Sequence, residues 1–285
     1  MLIFPKPSPL KMVAFMLRCL AFVMLFAETA HAAEGLSIHL APDSVATLFG
    51  IPITNTLMSV WLTMAILLLV TLFVNTKLSL VPGKLQNLVE LLIVSVYDYM
   101  ADVLESDNLA RRFFPLVMTI FIFILMMNWV GLLPGVDSIG IYKDVESHEE
   151  VVSKLVPFFH PPATDLNITI AFALVAFVAI ELAGVTLLGF FKYVGKFVNF
   201  KSPLAFIIGI IELLSEMARL ISFSFRLFGN IFAGKTLLMV VMFLATPYVL
   251  PVPLIAYELF VGFIQAFIFA ILTLFFIKLA IEEPH

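Results

Sequence analysis

The chain is short of charge and almost without cysteine. Only 13% of its 285 residues are Asp, Glu, Lys or Arg, against roughly 25% in a soluble domain. Hydrophobic residues make up 62%, and the mean hydropathy is +1.12. A soluble enzyme is excluded by that balance, and an integral membrane protein is expected. Cys19 is the single cysteine, which rules out an intrachain disulfide or a cysteine metal site. The five histidines (His31, His39, His148, His160 and His285) fall outside the long apolar runs. That placement argues against a buried metal cluster or an imidazole relay within the membrane. The sequence has no Gly-rich phosphate loop and no nucleophile elbow, so no cofactor is expected and nucleotide chemistry must reside on a partner. A net charge of −4 says less than where the charges lie.

What is present is organised by apolar length. Lys6, Lys11 and Arg18 lead a short apolar core, Cys19 to Ala27, followed by the small-x-small site Ala30-His31-Ala32. This reads as a signal peptide over 1–32, its core too short to span a bilayer; the alternative is an uncleaved N-terminal anchor. The remainder, 33–285, reads as a single membrane domain with spans at about 54–76, 113–136, 166–191, 204–245 and 254–281. Segment 83–104 alternates Leu88, Leu91, Leu92, Val94 and Val96 with Lys84, Glu90, Asp98 and Asp102, the pattern of a helix lying in the interface. The fold expected is therefore all-α, with five transmembrane helices and an interfacial helix.

The fourth block is too long for a simple span. Its roughly 40 residues would reach ~60 Å as a helix, against ~30 Å of hydrocarbon. No proline interrupts it from Leu204 to Leu244, so strong tilt is favoured over a break. The prolines of 246–253 are read as ending it before the last span.

Loop charge sets the expected orientation. Lys192, Lys196 and Lys201 lie in a loop without acid, which should be cytoplasmic. Asp137, Asp144, Glu146, Glu149, Glu150 and Asp165 dominate the loop before the third span, which should lie outside. The N-terminus is then outside and the C-terminus cytoplasmic.

The apolar stretch from Leu204 to Lys278 keeps few ionisable groups: Glu212, Glu216, Arg219, Arg226, Lys235 and Glu258 precede Lys278. A charge at membrane depth costs a few kcal/mol on insertion scales and marks a functional site. At 100° per residue, Glu212, Glu216, Arg219, Arg226 and Asn230 fall within ~80° of one another. The plainer reading of Glu216 and Arg219 is an internal salt bridge. Arg226 has no acid within one turn on its own face.

The run Arg226-Leu-Phe-Gly-Asn-Ile-Phe-Ala-Gly234, followed by Ile264-Gln265-Ala266-Phe267-Ile268-Phe269, resembles subunit a of the F-type ATP synthase. Val81-Pro-Gly-Lys-Leu-Gln86 with Glu90, Asn128 before Leu132-Leu-Pro134, and Pro162-Ala-Thr-Asp-Leu-Asn167 match the same family in the same order. The resemblance runs from about residue 50 to 280.

That resemblance implies a non-catalytic stator subunit in a bacterial inner membrane. Its last two helices would form a tilted hairpin against a rotor ring of subunit c, with peripheral-stalk subunit b and the rest of the complex as further partners. Two offset half-channels would carry protons to and from the ring carboxylates, with Arg226 matching the arginine that separates them. Glu212 matches the acid of the cytoplasmic half-channel, with Glu216, Arg219 and Ser222 along the same stripe. Asn230 and Gln265 match polar neighbours of the arginine; Glu258 stands where the family places an acid or histidine. Asn128 and Asn167 belong to matching motifs. Lys235 departs from the family's acid or histidine, and its spacing suggests a pair with Glu258. Glu181 has no counterpart; the outer channel or a pair with Lys235 are its two readings. A sodium-translocating version of the subunit, or a self-contained channel or transporter, are the alternatives. The latter would call for inverted repeats or broken helices, which the sequence lacks.

Overall fold

The computed structural model describes residues 42–48, 50–76, 83–133, 135–147, 150–197, 202–244 and 251–282. The segment 1–32 read as a signal peptide, Val81-Pro82 and the link 245–250 lie outside them. Among the described residues seven helices dominate: α1 (Asn55–Thr76), α2 (Lys84–Leu104), α3 (Asp107–Val130), α4 (Leu166–Leu188), α5 (Phe190–Phe197), α6 (Pro203–Leu244) and α7 (Pro251–Ile281). Four of them are long and apolar enough to cross a bilayer: α1 over Asn55–Val74, α3, α4 and α7.

Local chemistry fixes the helix ends. Ser106 caps α3 by accepting from the Leu109 amide, and Asp107 follows in the first turn, where the helix dipole favours an anion. Asp165 caps α4 through Oδ1, which accepts from the Asn167 amide at 2.9 Å. Its Oδ2 accepts from the Thr56 hydroxyl at 2.8 Å, tying the start of α4 to the start of α1. Gly189, with φ +87, ends α4 in a conformation that L side chains avoid. The third apolar run thus stops at Leu188, and Phe190 and Phe191 belong to α5 instead. The second run is also displaced toward the N-terminus, since α3 starts at Asp107 and ends at Val130. α7 begins at Pro251, with Pro253 in its first turn, where a missing N–H costs nothing. The prolines expected to separate the last two helices therefore partly belong to the second of them.

α6 runs unbroken for 42 residues, about 63 Å at 1.5 Å per residue. α7 packs antiparallel to it, with Phe223 against Phe269 at 4.8 Å between ring centroids. The core is formed by α3, α4 and α7 around fully buried Ile124, Met127, Ile180, Leu274 and Ile277. Gly262, Ala266 and Ala270 line the buried face of α7, and small residues of this kind let helices approach closely where lipid supplies no hydrophobic contrast. Asn128 crosses from α3, its Nδ2 donating to the Gly262 carbonyl at 3.2 Å. α1 is peripheral and shows Leu68, Leu69, Leu72 and Phe73 on its exposed surface.

Two small β-hairpins add to the all-α expectation. β1 (Ser44–Leu48) pairs with β2 (Ile51–Thr54), and β3 (Gly140–Ser147) with β4 (Glu150–Pro157), both antiparallel. The second hairpin occupies the acidic loop. Its β-branched residues Ile141, Val145, Val151, Val152 and Val156 suit a strand, a signal that the count of loop charges obscured. Below α2, Glu105 takes a left-handed turn (φ 52) into α3 and meets Lys278 at 2.7 Å. The hydrogen bond and charge of that lysine hold the Glu105 carboxyl below its ordinary range.

Candidate functional site

The polar stripe of α6 separates into three environments once packing is considered. Arg226, near the middle of the helix, is exposed, as are Ser222 and Asn230. Its Nη2 donates to the Ser222 hydroxyl at 3.2 Å, the one hydrogen bond it makes among the described residues. Around it, Ile207, Ile211, Leu214, Ile221 and Phe225 form an exposed apolar face along α6. Ser215, Ser222 and Arg226 with Leu272 and Phe276 line an open concavity of about 330 Å³ between α6 and α7. A guanidinium left on an apolar, membrane-length face demands a partner from outside the chain, because lipid offers it none.

Ten residues earlier the stripe turns inward. Glu216 is only 3% exposed, and both its oxygens accept from Arg219 Nη1 at 2.7 Å. The Arg219 guanidinium also lies 4.5 Å from the centre of the Phe276 ring, a cation–π contact to α7. The plain salt-bridge reading of these two residues is therefore what the fold contains. Glu212 is held by Lys196 of α5, with Nζ to Oε1 at 2.9 Å.

Toward the other end of α6 the expected Lys235–Glu258 ion pair does not form. The Lys235 ammonium instead donates to Nδ1 of His160 at 3.0 Å. Glu258, 4% exposed, lays its carboxylate against Gly234, where a Cβ would run into it. Among the described residues no charged side chain acts on that carboxylate. Gln265, two turns further along α7, is 8% exposed. His160 was set aside in the sequence because it lies outside the apolar runs, yet the loop before α4 brings it into the bundle. The His160 amide donates to the Ser59 hydroxyl of α1 at 2.9 Å, fixing the position of that loop.

The remaining candidates fall elsewhere. Glu181 lies neither beside Lys235 nor near Glu258. Its Oε2 accepts from the Tyr193 hydroxyl at 2.8 Å, on the Glu212 and Glu216 side of Arg226. Asn128 is buried between α3 and α7 as a cross-link, and its Oδ1 has no hydrogen-bond partner among the described residues. Asn167 is exposed beside the α4 cap; Asp165, which makes that cap, is the buried member of the motif. Gly131 closes α3 against Pro161, whose Cβ would stand 2.8 Å from an added Cβ, leaving no room for a side chain there. Among the described residues no group of His, Cys, Asp and Glu could hold a metal ion.

The family model described as ATP synthase A chain matches residues 57–278. ATP synthase subunit a of Moorella thermoacetica is 31% identical over 239 residues, covering 84% of this chain and 96% of the relative. The Geotalea uraniireducens protein of the same name is 33% identical, covering 79% of this chain and 86% of its own. For the Campylobacter concisus subunit a the identity is 34%, with coverages of 77% and 88%. The match embraces every helix from α1 to α7, the Arg226 face included, and the chain belongs to the ATP synthase subunit a family.

Proposed function

We propose that this subunit of the F-type ATP synthase membrane sector carries protons between two offset half-channels separated by Arg226. ATP chemistry belongs to other subunits of the complex. The exposed Arg226 guanidinium, midway along an apolar face of α6 with Ser222 as its hydrogen-bond partner, carries this reading. A ring of subunit c, each copy with a membrane-embedded carboxylate, supplies the missing counter-charge. As each carboxylate passes, the permanent cation favours its ionised form. The carboxylate reloads only after moving on to the next half-channel, so ions cross by riding the ring. The tilt of the α6–α7 hairpin follows from fitting ~63 Å of helix beside that ring.

Glu258, Gln265, Asn230 and Lys235 then line the outer half-channel, and Glu212, Glu216 and Ser222 the inner one. The proton is the ion we propose, with Glu258, buried against Gly234, as the carboxylate that hands it on. ATP-driven acidification of inverted vesicles in sodium-free buffer tests this; an absolute need for sodium would overturn it. Peripheral-stalk subunit b and the rest of the complex complete the partners, in a bacterial plasma membrane.

Gly234 gives a sharp check on Glu258. Gly234→Ala places a methyl where the Glu258 carboxylate lies. The flexible acid can swing away, so assembly is retained. ATP-driven proton pumping should nevertheless fall roughly tenfold or more, since a displacement of about 1 Å suffices to cost that much in proton transfer. Unchanged pumping by the assembled variant would remove Glu258 from the path.

Orientation is testable in a Cys19→Ser background. Cysteine at Tyr142, which is 75% exposed in β3, should react with an impermeant maleimide from outside the cell. Cysteine at Asp102, exposed on α2, should react from the cytoplasmic side. Labelling of both from one side would rule out five spans with the N-terminus outside.

A further inference from the structure

Glu181 is the ionisable residue that the translocation reading leaves without a task. It lies on α4, where α5 docks onto both α4 and α6. Two glycines allow that docking. The Tyr193 ring covers Gly184 and the Phe197 carbonyl lies on Gly209, and at each glycine a Cβ would collide. Docking delivers one donor to each of two acids: the Tyr193 hydroxyl to Glu181 Oε2 at 2.8 Å, and the Lys196 ammonium to Glu212 Oε1 at 2.9 Å.

Carboxylates from two helices thus gather at one end of the α4–α6 contact. Facing Glu181 are Tyr193 from α5 and Glu216, itself clasped by Arg219, from α6. Glu212 and its partner Lys196 stand next to Glu216. The charged residues of α7 are engaged elsewhere, Glu258 on Gly234 and Lys278 on Glu105. One oxygen in the group is unmatched: Glu181 Oε1 is buried and has no hydrogen-bond partner among the described residues. A protonated carboxyl has a donor as well as an acceptor, so a buried carboxyl oxygen without a partner is a place where a proton can be held.

Building on the half-channel reading above, we infer that Glu181 is a proton-holding station of the inner half-channel, exchanging its proton with the Glu212–Glu216 side of α6. A proton arriving there binds Oε1, and its departure restores the carboxylate that the Tyr193 hydroxyl stabilises. No bond other than O–H is made or broken. α5 acts as the positioning element, since it sets both the Tyr193 and the Lys196 donors.

The test uses the whole complex in inverted vesicles, with ATP-driven pumping followed as a function of cytoplasmic-side pH. Glu181→Gln keeps the shape and can still accept from Tyr193, but it cannot ionise. Pumping should drop roughly tenfold and lose part of its cytoplasmic pH dependence, while dependence on the outer pH stays. The loss is smaller than the 10²-fold or more of an obligatory acid–base group, because Glu212 and Glu216 remain. Glu181→Asp should recover part of the rate. Tyr193→Phe removes the hydroxyl that meets Glu181 Oε2, so the cytoplasmic pH profile should move. Wild-type rates and profiles in both Glu181→Gln and Tyr193→Phe would overturn the inference. If Glu181→Gln does not assemble, Tyr193→Phe decides alone, and an unmoved profile is a refutation. Failure here leaves the half-channel reading standing as long as Arg226→Ala is inactive; an active Arg226→Ala complex would sink that reading itself.

Discussion

Replacing Arg226 by alanine should cut coupled ATP synthesis about a hundredfold or more, the scale on which a preorganised charge in a dry site acts. Its position explains the size of the effect. The guanidinium is exposed on an apolar face and has only Ser222 beside it among the described residues, so no neighbouring cation takes over. Arg219, the next arginine on the helix, is committed to Glu216. Without Arg226 the ring carboxylate keeps its proton at the crossing point, and a passive leak between the half-channels becomes possible. Arg226→Lys should fail as well, since a desolvated ammonium gives up its proton and loses the planar fork. Synthesis by inverted vesicles is the measurement, and near-wild-type rates in Arg226→Ala would remove the residue from the mechanism.

The second large effect is on folding. Arg219→Leu strands the Glu216 carboxylate at 3% exposure, next to a second acid. Breaking a buried pair from one side costs about 3–5 kcal/mol, and the cation–π contact to Phe276 goes with it. Little assembled subunit should remain in the membrane. Combining Arg219→Leu with Glu216→Gln removes the orphaned charge and should restore much of the assembled protein. If the double variant is no more abundant than the single, the pair is not what holds α6 against α4 and α7. These two arginines on one helix therefore separate by phenotype: loss of Arg226 leaves an assembled but idle complex, and loss of Arg219 leaves little complex at all.

The difference between those arginines was only half legible in the sequence. Glu216 and Arg219 are three residues apart, a spacing that reads directly as a helical pair, and the absence of proline from 204 to 244 read directly as one long helix. Periodicity alone put Arg226 on the same face as Glu216. It could not say that Glu216 is covered while Arg226 points away from α4 and α7, which still bury Phe223, Ser224 and Leu227 beside it, because that depends on how the helices pack. Contacts across the chain were out of reach for the same reason. His160 meets Lys235 at a separation of 75 residues, so the departure from the family pattern at Lys235 pointed to the wrong partner, Glu258. Glu181 found Tyr193 only because Gly189 turns the chain back at the end of α4. The first turn of α7 was missed because prolines that break a helix interior are harmless at its start.

Cross-linking addresses most directly whether the Arg226 face of α6 meets a ring carboxylate. Ser222→Cys lies one turn from Arg226 on the exposed side of α6. It would be paired, in a Cys19→Ser background, with a cysteine one turn from the carboxylate of subunit c. Oxidation of the assembled complex should join the two subunits, stop ATP-driven pumping, and be reversed by reduction. A control cysteine at Leu69, 65% exposed on peripheral α1, should give no such product. Cross-linking at Leu69 and none at Ser222 would mean that the ring sits on a different face, and Arg226 could not be the residue that its carboxylates pass.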